Sequence, residues 1–68
     1  MENEMVELCV SYLEAAESIR KSELMSVKDL IKKLNITYIT LRRIQKNPAT
    51  CSLKTLRKLK KYVDEWHN

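Results

Sequence analysis

The stretch Ser26-Val27-Lys28-Asp29-Leu30-Ile31-Lys32-Lys33-Leu34-Asn35-Ile36-Thr37-Tyr38-Ile39-Thr40-Leu41-Arg42-Arg43-Ile44-Gln45-Lys46-Asn47 decides how this chain folds. Ser26 stands just before apolar residues at helical spacing, Val27, Leu30, Ile31 and Leu34, with an acid at Asp29 three residues on. That is a shortened capping box, and it starts a helix over 27–34. Thr37 repeats the signal for a helix over 38–46, whose inward side is Leu41 and Ile44 with Thr40 beside them. Between the two, Asn35 supplies the turn, because asparagine tolerates left-handed backbone better than any residue except glycine. Asn47-Pro48 ends the second helix, since the residue before proline avoids the helical region. Two short helices joined by a turn of three or four residues are expected, with Tyr38, Ile39, Arg42, Arg43 and Lys46 on the outer face of the second.

The flanking segments add one helix each. Before the pair, Met5, Leu8, Cys9, Tyr12, Leu13, Ala16 and Ile19 recur on one stripe of a helix expected over about 3–21. Glu2, Glu4 and Glu7 lie in its first turns and Arg20 and Lys21 in its last, complementing the helix dipole. Val6 and Val10 lie off that stripe and read either as a widening of the buried face or as a contact strip for another chain. After the pair, Ser52 caps a helix over about 53–66, with Leu53, Leu56, Leu59, Val63 and Trp66 inward, Tyr62 alongside, and Lys54, Arg57, Lys58, Lys60 and Lys61 elsewhere on it. The fold class expected is all-α: one four-helix domain spanning residues 1–68, divided into an acidic helix within 1–25 and a basic part over 26–63.

Charge follows that division. Residues 1–25 carry six Glu against Arg20 and Lys21, net −4, whereas residues 26–63 carry eleven Lys and Arg against Asp29 alone, net +10. Such a block is the footprint of an anion binder, nucleic acid foremost. The chain has no glycine, which removes phosphate-cradling loops, dinucleotide-binding turns and nucleophile elbows from consideration. The one histidine, His67, has no partner at a meaningful spacing, so no enzyme, cofactor, metal or small-molecule substrate is expected. Cys9 and Cys51 fit no metal-ligand spacing and read as small apolar residues in a reducing compartment. An acidic start, Met1-Glu2-Asn3-Glu4, and the lack of an 18-residue apolar run lead to the expectation of a cytoplasmic protein without a membrane partner.

The run from Ser26 to Asn47 resembles the helix-turn-helix of Cro and phage-repressor-type regulators, small proteins of phages and mobile genetic elements. The likeness lies in Leu30 and Leu34, in Ile36 after the turn, in Thr37 opening the next helix, and in Leu41 and Ile44. It extends to Ser52-Leu53-Lys54-Thr55-Leu56, which is similar to the opening of the family's fourth helix, and covers residues 25–60. The resemblance implies a DNA-binding regulator in which Thr37, Tyr38, Ile39 and Arg42 meet base edges while Arg43 and Lys46 lie on or near phosphates. Ser26, Thr37 and Ser52 would then lead helix N-termini toward phosphate oxygens, with Lys54 and Lys58 adding charge.

A second reading of the same residues is an accessory subunit docked on a larger replication or recombination protein, such as the polymerase or primase of a mobile element. It would contribute nonspecific or single-stranded DNA binding. In a regulator the partner is a second copy, and Val6 and Val10 on the acidic helix form the expected contact; in a subunit, Tyr38 and Ile39 are the expected anchors.

Overall fold

A computed structural model describes residues 2–67, with side chains described from residue 4 onward; the dipole role expected of Glu2 lies outside those side chains. The elements are α1 (Glu2–Ser22), α2 (Val27–Leu34), α3 (Tyr38–Lys46), a 3-10 turn (Pro48–Thr50) and α4 (Leu53–His67). All are helical, and no strand occurs among the described residues.

Each junction is made by a local hydrogen-bonding device. Ser26 Oγ accepts from the Asp29 backbone N–H at 3.1 Å, which satisfies one of the free amides that open α2. Thr37 Oγ1 does the same for Thr40 N–H at the start of α3, and Ser52 Oγ for Thr55 N–H at the start of α4. At the other end of α2, Asn35 stands at φ 57°, ψ 48°, in the left-handed region. Its N–H bonds to Lys32 O and that of Ile36 to Ile31 O, the paired 5→2 and 6→1 closure that ends many helices. Lys58 Nζ on α4 then donates to the Asn35 carbonyl at 2.7 Å, fastening the turn to the last helix.

The end of α1 repeats this closure with a less suitable residue. Leu24 N–H bonds to Lys21 O and Met25 N–H to Arg20 O, with Leu24 at φ 54° and 93% exposed. A Cβ in the left-handed region costs about 1–2 kcal/mol, and this side chain recovers none of it by burial. The Arg20 guanidinium reinforces the corner, donating to the Met25 carbonyl at 2.9 Å and to the Glu17 carboxylate. The hydrogen bond from Arg20 also holds the Glu17 carboxyl below its ordinary range. Leu24→Gly should therefore stabilise the fold by about 0.5–1 kcal/mol after the extra freedom glycine gives the unfolded chain is deducted. Thermal unfolding reads this as a higher midpoint; a lower one would show that the Leu24 side chain contributes to the native state.

One hydrophobic cluster joins every helix: Cys9, Ala16 and Ile19 from α1, Leu30 and Leu34 from α2, Ile44 from α3, Cys51 from the segment before α4, and Leu56, Leu59 and Val63 from α4. Leu41 is buried as well. Leu13 and Ile36 are partly buried and pack against the cluster rather than within it. The Cα radius of gyration, 11.1 Å, matches the roughly 11 Å of a compact chain of this length.

Three expectations about inward faces are corrected. Leu8, placed on the buried stripe of α1, is exposed. The stripe is rotated toward Val6 and Val10, because the 3-10 turn packs on α1 and brings Pro48 against that side. Leu53 and Trp66, expected inward on α4, are also exposed. They stand at its two ends, and the indole N–H of Trp66 donates to Glu23 Oε1 at 2.9 Å across the end of α1.

Candidate nucleic-acid interface

The α3 helix presents its basic residues on one side because Leu41 and Ile44 hold the other side in the core. Tyr38, Arg42 and Lys46 follow one another at intervals of four residues, as do Ile39 and Arg43, so the five form a continuous outer face. All five are exposed, Ile39 at 76% and Tyr38 at 52%. The Arg42 guanidinium lies 6.0 Å from the centre of the Tyr38 ring, at the outer limit of a cation–π contact.

The electrostatics of this face are one-sided. Among the described residues the ion pairs are Arg20–Glu17 on α1, and Lys60–Asp64 at 2.6 Å and Lys61–Glu65 at 3.9 Å on α4. Arg42, Arg43 and Lys46 take part in none of them, and Asp29 is the only acid between Ser26 and Val63. A cation without a carboxylate neighbour keeps its charge and its donors available to an incoming anion.

The capping residues are more constrained than their sequence positions suggest. Thr37 is exposed, but its hydroxyl accepts from Thr40 N–H and donates to Thr40 Oγ1 at 2.9 Å. Ser52 is likewise occupied, accepting from Thr55 N–H and donating to Thr55 Oγ1. Both hydroxyls therefore act first within their own helix. The amides at the helix starts, rather than the hydroxyls, are the groups that remain for a phosphate oxygen. Ser26 is exposed and uses its oxygen as an acceptor for α2.

Lys58 has a structural contact besides the charge expected of it. It is half-buried and holds the Asn35 carbonyl, so its first role is to position the α2–α3 turn against α4. Lys54 is exposed and makes no ion pair among the described residues. Around these two, Leu53, Arg57 and Lys61 line a shallow surface hollow with Lys54 and Lys58. A second hollow, between α2 and α4, is lined by Lys33, Asn35, Lys58 and Lys61 among others. Lys33, Arg57 and Lys61 do not stand out from the sequence as binding residues. The signal available is the 54, 58, 61 spacing of lysines on one side of α4, which reads equally as a solvated helix face.

Val6 and Val10 are half-buried and line hollows against the chain's own Pro48. Among the described residues no group of three His, Cys, Asp or Glu side chains is placed to hold a metal ion, and no helix is long and apolar enough to cross a membrane.

Comparison with known proteins returns no match: no family model, no curated protein and no solved structure aligns significantly with this chain. The functional reading accordingly rests on the surface itself.

Proposed function

We propose that this chain is a helix-turn-helix nucleic-acid-binding protein in which α3 enters the major groove of duplex DNA, serving as a small transcriptional regulator of the Cro and phage-repressor kind. The observation that carries the reading is the outer face of α3: Arg42, Arg43 and Lys46 stand together, exposed and without a carboxylate partner. In a groove, Arg42 has the donor geometry for O6 and N7 of guanine, and Ile39 an apolar surface for a thymine methyl. Arg43 and Lys46 serve the flanking phosphates, and the amides at the starts of α2, α3 and α4 add further phosphate donors. Anchoring of the α2–α3 turn by Lys58 keeps α3 at a fixed angle to α4, so the two basic surfaces approach a duplex as one body.

A second reading is supported by Ile39, Tyr38 and Leu53, three large apolar side chains left exposed on the basic half of the molecule. Apolar anchors of this kind suit a pocket on a larger replication or recombination protein, and Tyr38 suits stacking on an unpaired base. Fluorescence anisotropy with a randomised duplex pool and with single strands of the same length separates the two. The regulator reading expects duplex preference, an enriched sequence, and weakening of that preference in Arg42→Ala by the equivalent of about 1–3 kcal/mol for each guanine no longer read. Equal binding of both nucleic acids without sequence enrichment, with Tyr38→Ala the more damaging variant, would favour the subunit reading.

A further inference from the structure

The first half of α4 is charged differently from the second. Lys60 and Lys61 each have an acid four residues on, Asp64 and Glu65, and pair with it at 2.6 Å and 3.9 Å. Lys54, Arg57 and Lys58 have Lys58, Lys61 and Tyr62 at the same spacing, and none of the three joins an ion pair among the described residues. Lys54, Arg57, Lys58 and Lys61 recur at intervals of three and four and so share one side of the helix. Like charges at that spacing repel and weaken a helix. A surface kept basic for solubility alone would intersperse acids among them, as the last turns of the same helix do.

These side chains form a continuous track. Two hollows run along it and share Lys58 and Lys61: one is lined by these two with Leu53, Lys54 and Arg57, and the other takes in Lys33 and Asn35 from the end of α2, and Glu65. Lys33, Lys54, Arg57 and Lys61 are exposed, while the bond of Lys58 to the Asn35 carbonyl sets the track beside the turn that leads into α3. From Lys54 to Lys61 the helix rises about 10 Å, close to the axial rise of three nucleotides in one strand of a duplex at about 3.4 Å each. Glu65 is the one acid lining either hollow, and its pair with Lys61 is long and solvent-exposed, a contact that a competing anion readily displaces.

We propose that this side of α4, with Lys33 across the hollow, is a second nucleic-acid contact, a track that holds the sugar-phosphate backbone and reads no bases. It rests on the nucleic-acid reading above for the class of its ligand, but it does not need α3 to enter a groove. Lysine ammoniums act on phosphates as point charges and set no demand on base identity. Leu53, 51% exposed at the start of the track, offers an apolar surface to the sugars. Affinity from such a track is independent of sequence, and it keeps a protein on nucleic acid while it moves between sites.

The test is a salt titration by fluorescence anisotropy of the full chain, with a randomised duplex and with single strands of the same length. The variant combines Lys54→Ala, Arg57→Ala and Lys61→Ala and spares Lys58, which fastens the α2–α3 turn. The slope of log affinity against log salt should fall by about 0.9 on duplex, or about 0.7 on single strands, for each cation that touches a phosphate. A fall on duplex alone assigns the track to the strand bordering the α3 site; a fall on both assigns it to backbone of either kind. The charge-keeping combination of Lys54→Arg, Arg57→Lys and Lys61→Arg should retain the slope. Preference for an enriched duplex over the randomised one should be unchanged in the alanine variant, whereas Arg42→Ala lowers that preference. If no sequence is enriched, groove reading by α3 fails while the slope still decides the track. A variant that binds both nucleic acids with a slope altered no more than in Lys60→Ala overturns the track alone and leaves this side of α4 to an acidic protein surface. Loss of the slope in the charge-keeping variant overturns it as well.

Discussion

Ile44→Ala should be the most damaging of the single truncations, with a destabilisation of about 2–5 kcal/mol. Ile44 is fully buried on α3 and belongs to the cluster that joins all four helices. A chain of this length has a total stability of only about 3–10 kcal/mol, so the variant should be partly or wholly unfolded at room temperature. Urea titration followed by circular dichroism measures it, with Ile39→Ala as the comparison. Ile39 is on the same helix but exposed, and its truncation should move stability by no more than about 0.5 kcal/mol. Equal effects from the two would mean that the register of α3 is wrong, and with it the outer face on which DNA binding is argued.

The largest functional effect is expected from removing the three α3 cations together. Each phosphate that is no longer neutralised should flatten the dependence of log affinity on log salt by about 0.9 for duplex DNA, so losing Arg43 and Lys46 should reduce the slope by about two, while losing Arg42 removes a guanine contact as well. At 0.1 M salt the change in slope alone corresponds to a weakening of roughly a hundredfold, because the counterions those side chains displace then stay on the duplex. Lys60 provides the control, being paired with Asp64 on α4 and lining neither basic hollow. Substituting it should change the slope far less. An unchanged slope in the α3 variant would take α3 off the nucleic-acid surface.

The α2 and α3 boundaries are readable from the sequence because each is set by a local rule: a hydroxyl oxygen reaching the amide three residues on, and an asparagine able to adopt a left-handed backbone. Register within these two helices follows, since Leu30, Leu34, Leu41 and Ile44 leave one way of facing a core. The rotation of α1 is not readable. Val6, Leu8, Cys9 and Val10 surround one turn with apolar groups, and only the position of the Pro48 turn, remote in sequence, decides which of them is covered. Leu53 and Trp66 continue the α4 period beyond the reach of the helices it packs on, so periodicity alone overstates their burial. The same distinction runs through the candidate site. Exposure of Arg42, Arg43 and Lys46 follows from the period of α3, whereas the hydrogen bond of Lys58 to Asn35, 23 positions away, has no local signature.

The bond from Trp66 to Glu23 gives the molecule a built-in optical probe. Trp66 is the only tryptophan of the chain, its indole N–H is held by a carboxylate 43 positions earlier in the sequence, and the His67 ring stands edge-on 5.2 Å away. Its emission therefore reports, without any label, whether the last turn of α4 is seated on the end of α1. Fraying at that end breaks the indole hydrogen bond and uncovers the rest of a ring already 44% exposed, reddening its spectrum while the remaining helices stay folded. Local opening where α4 meets α1 can thus be separated from global unfolding in a single titration.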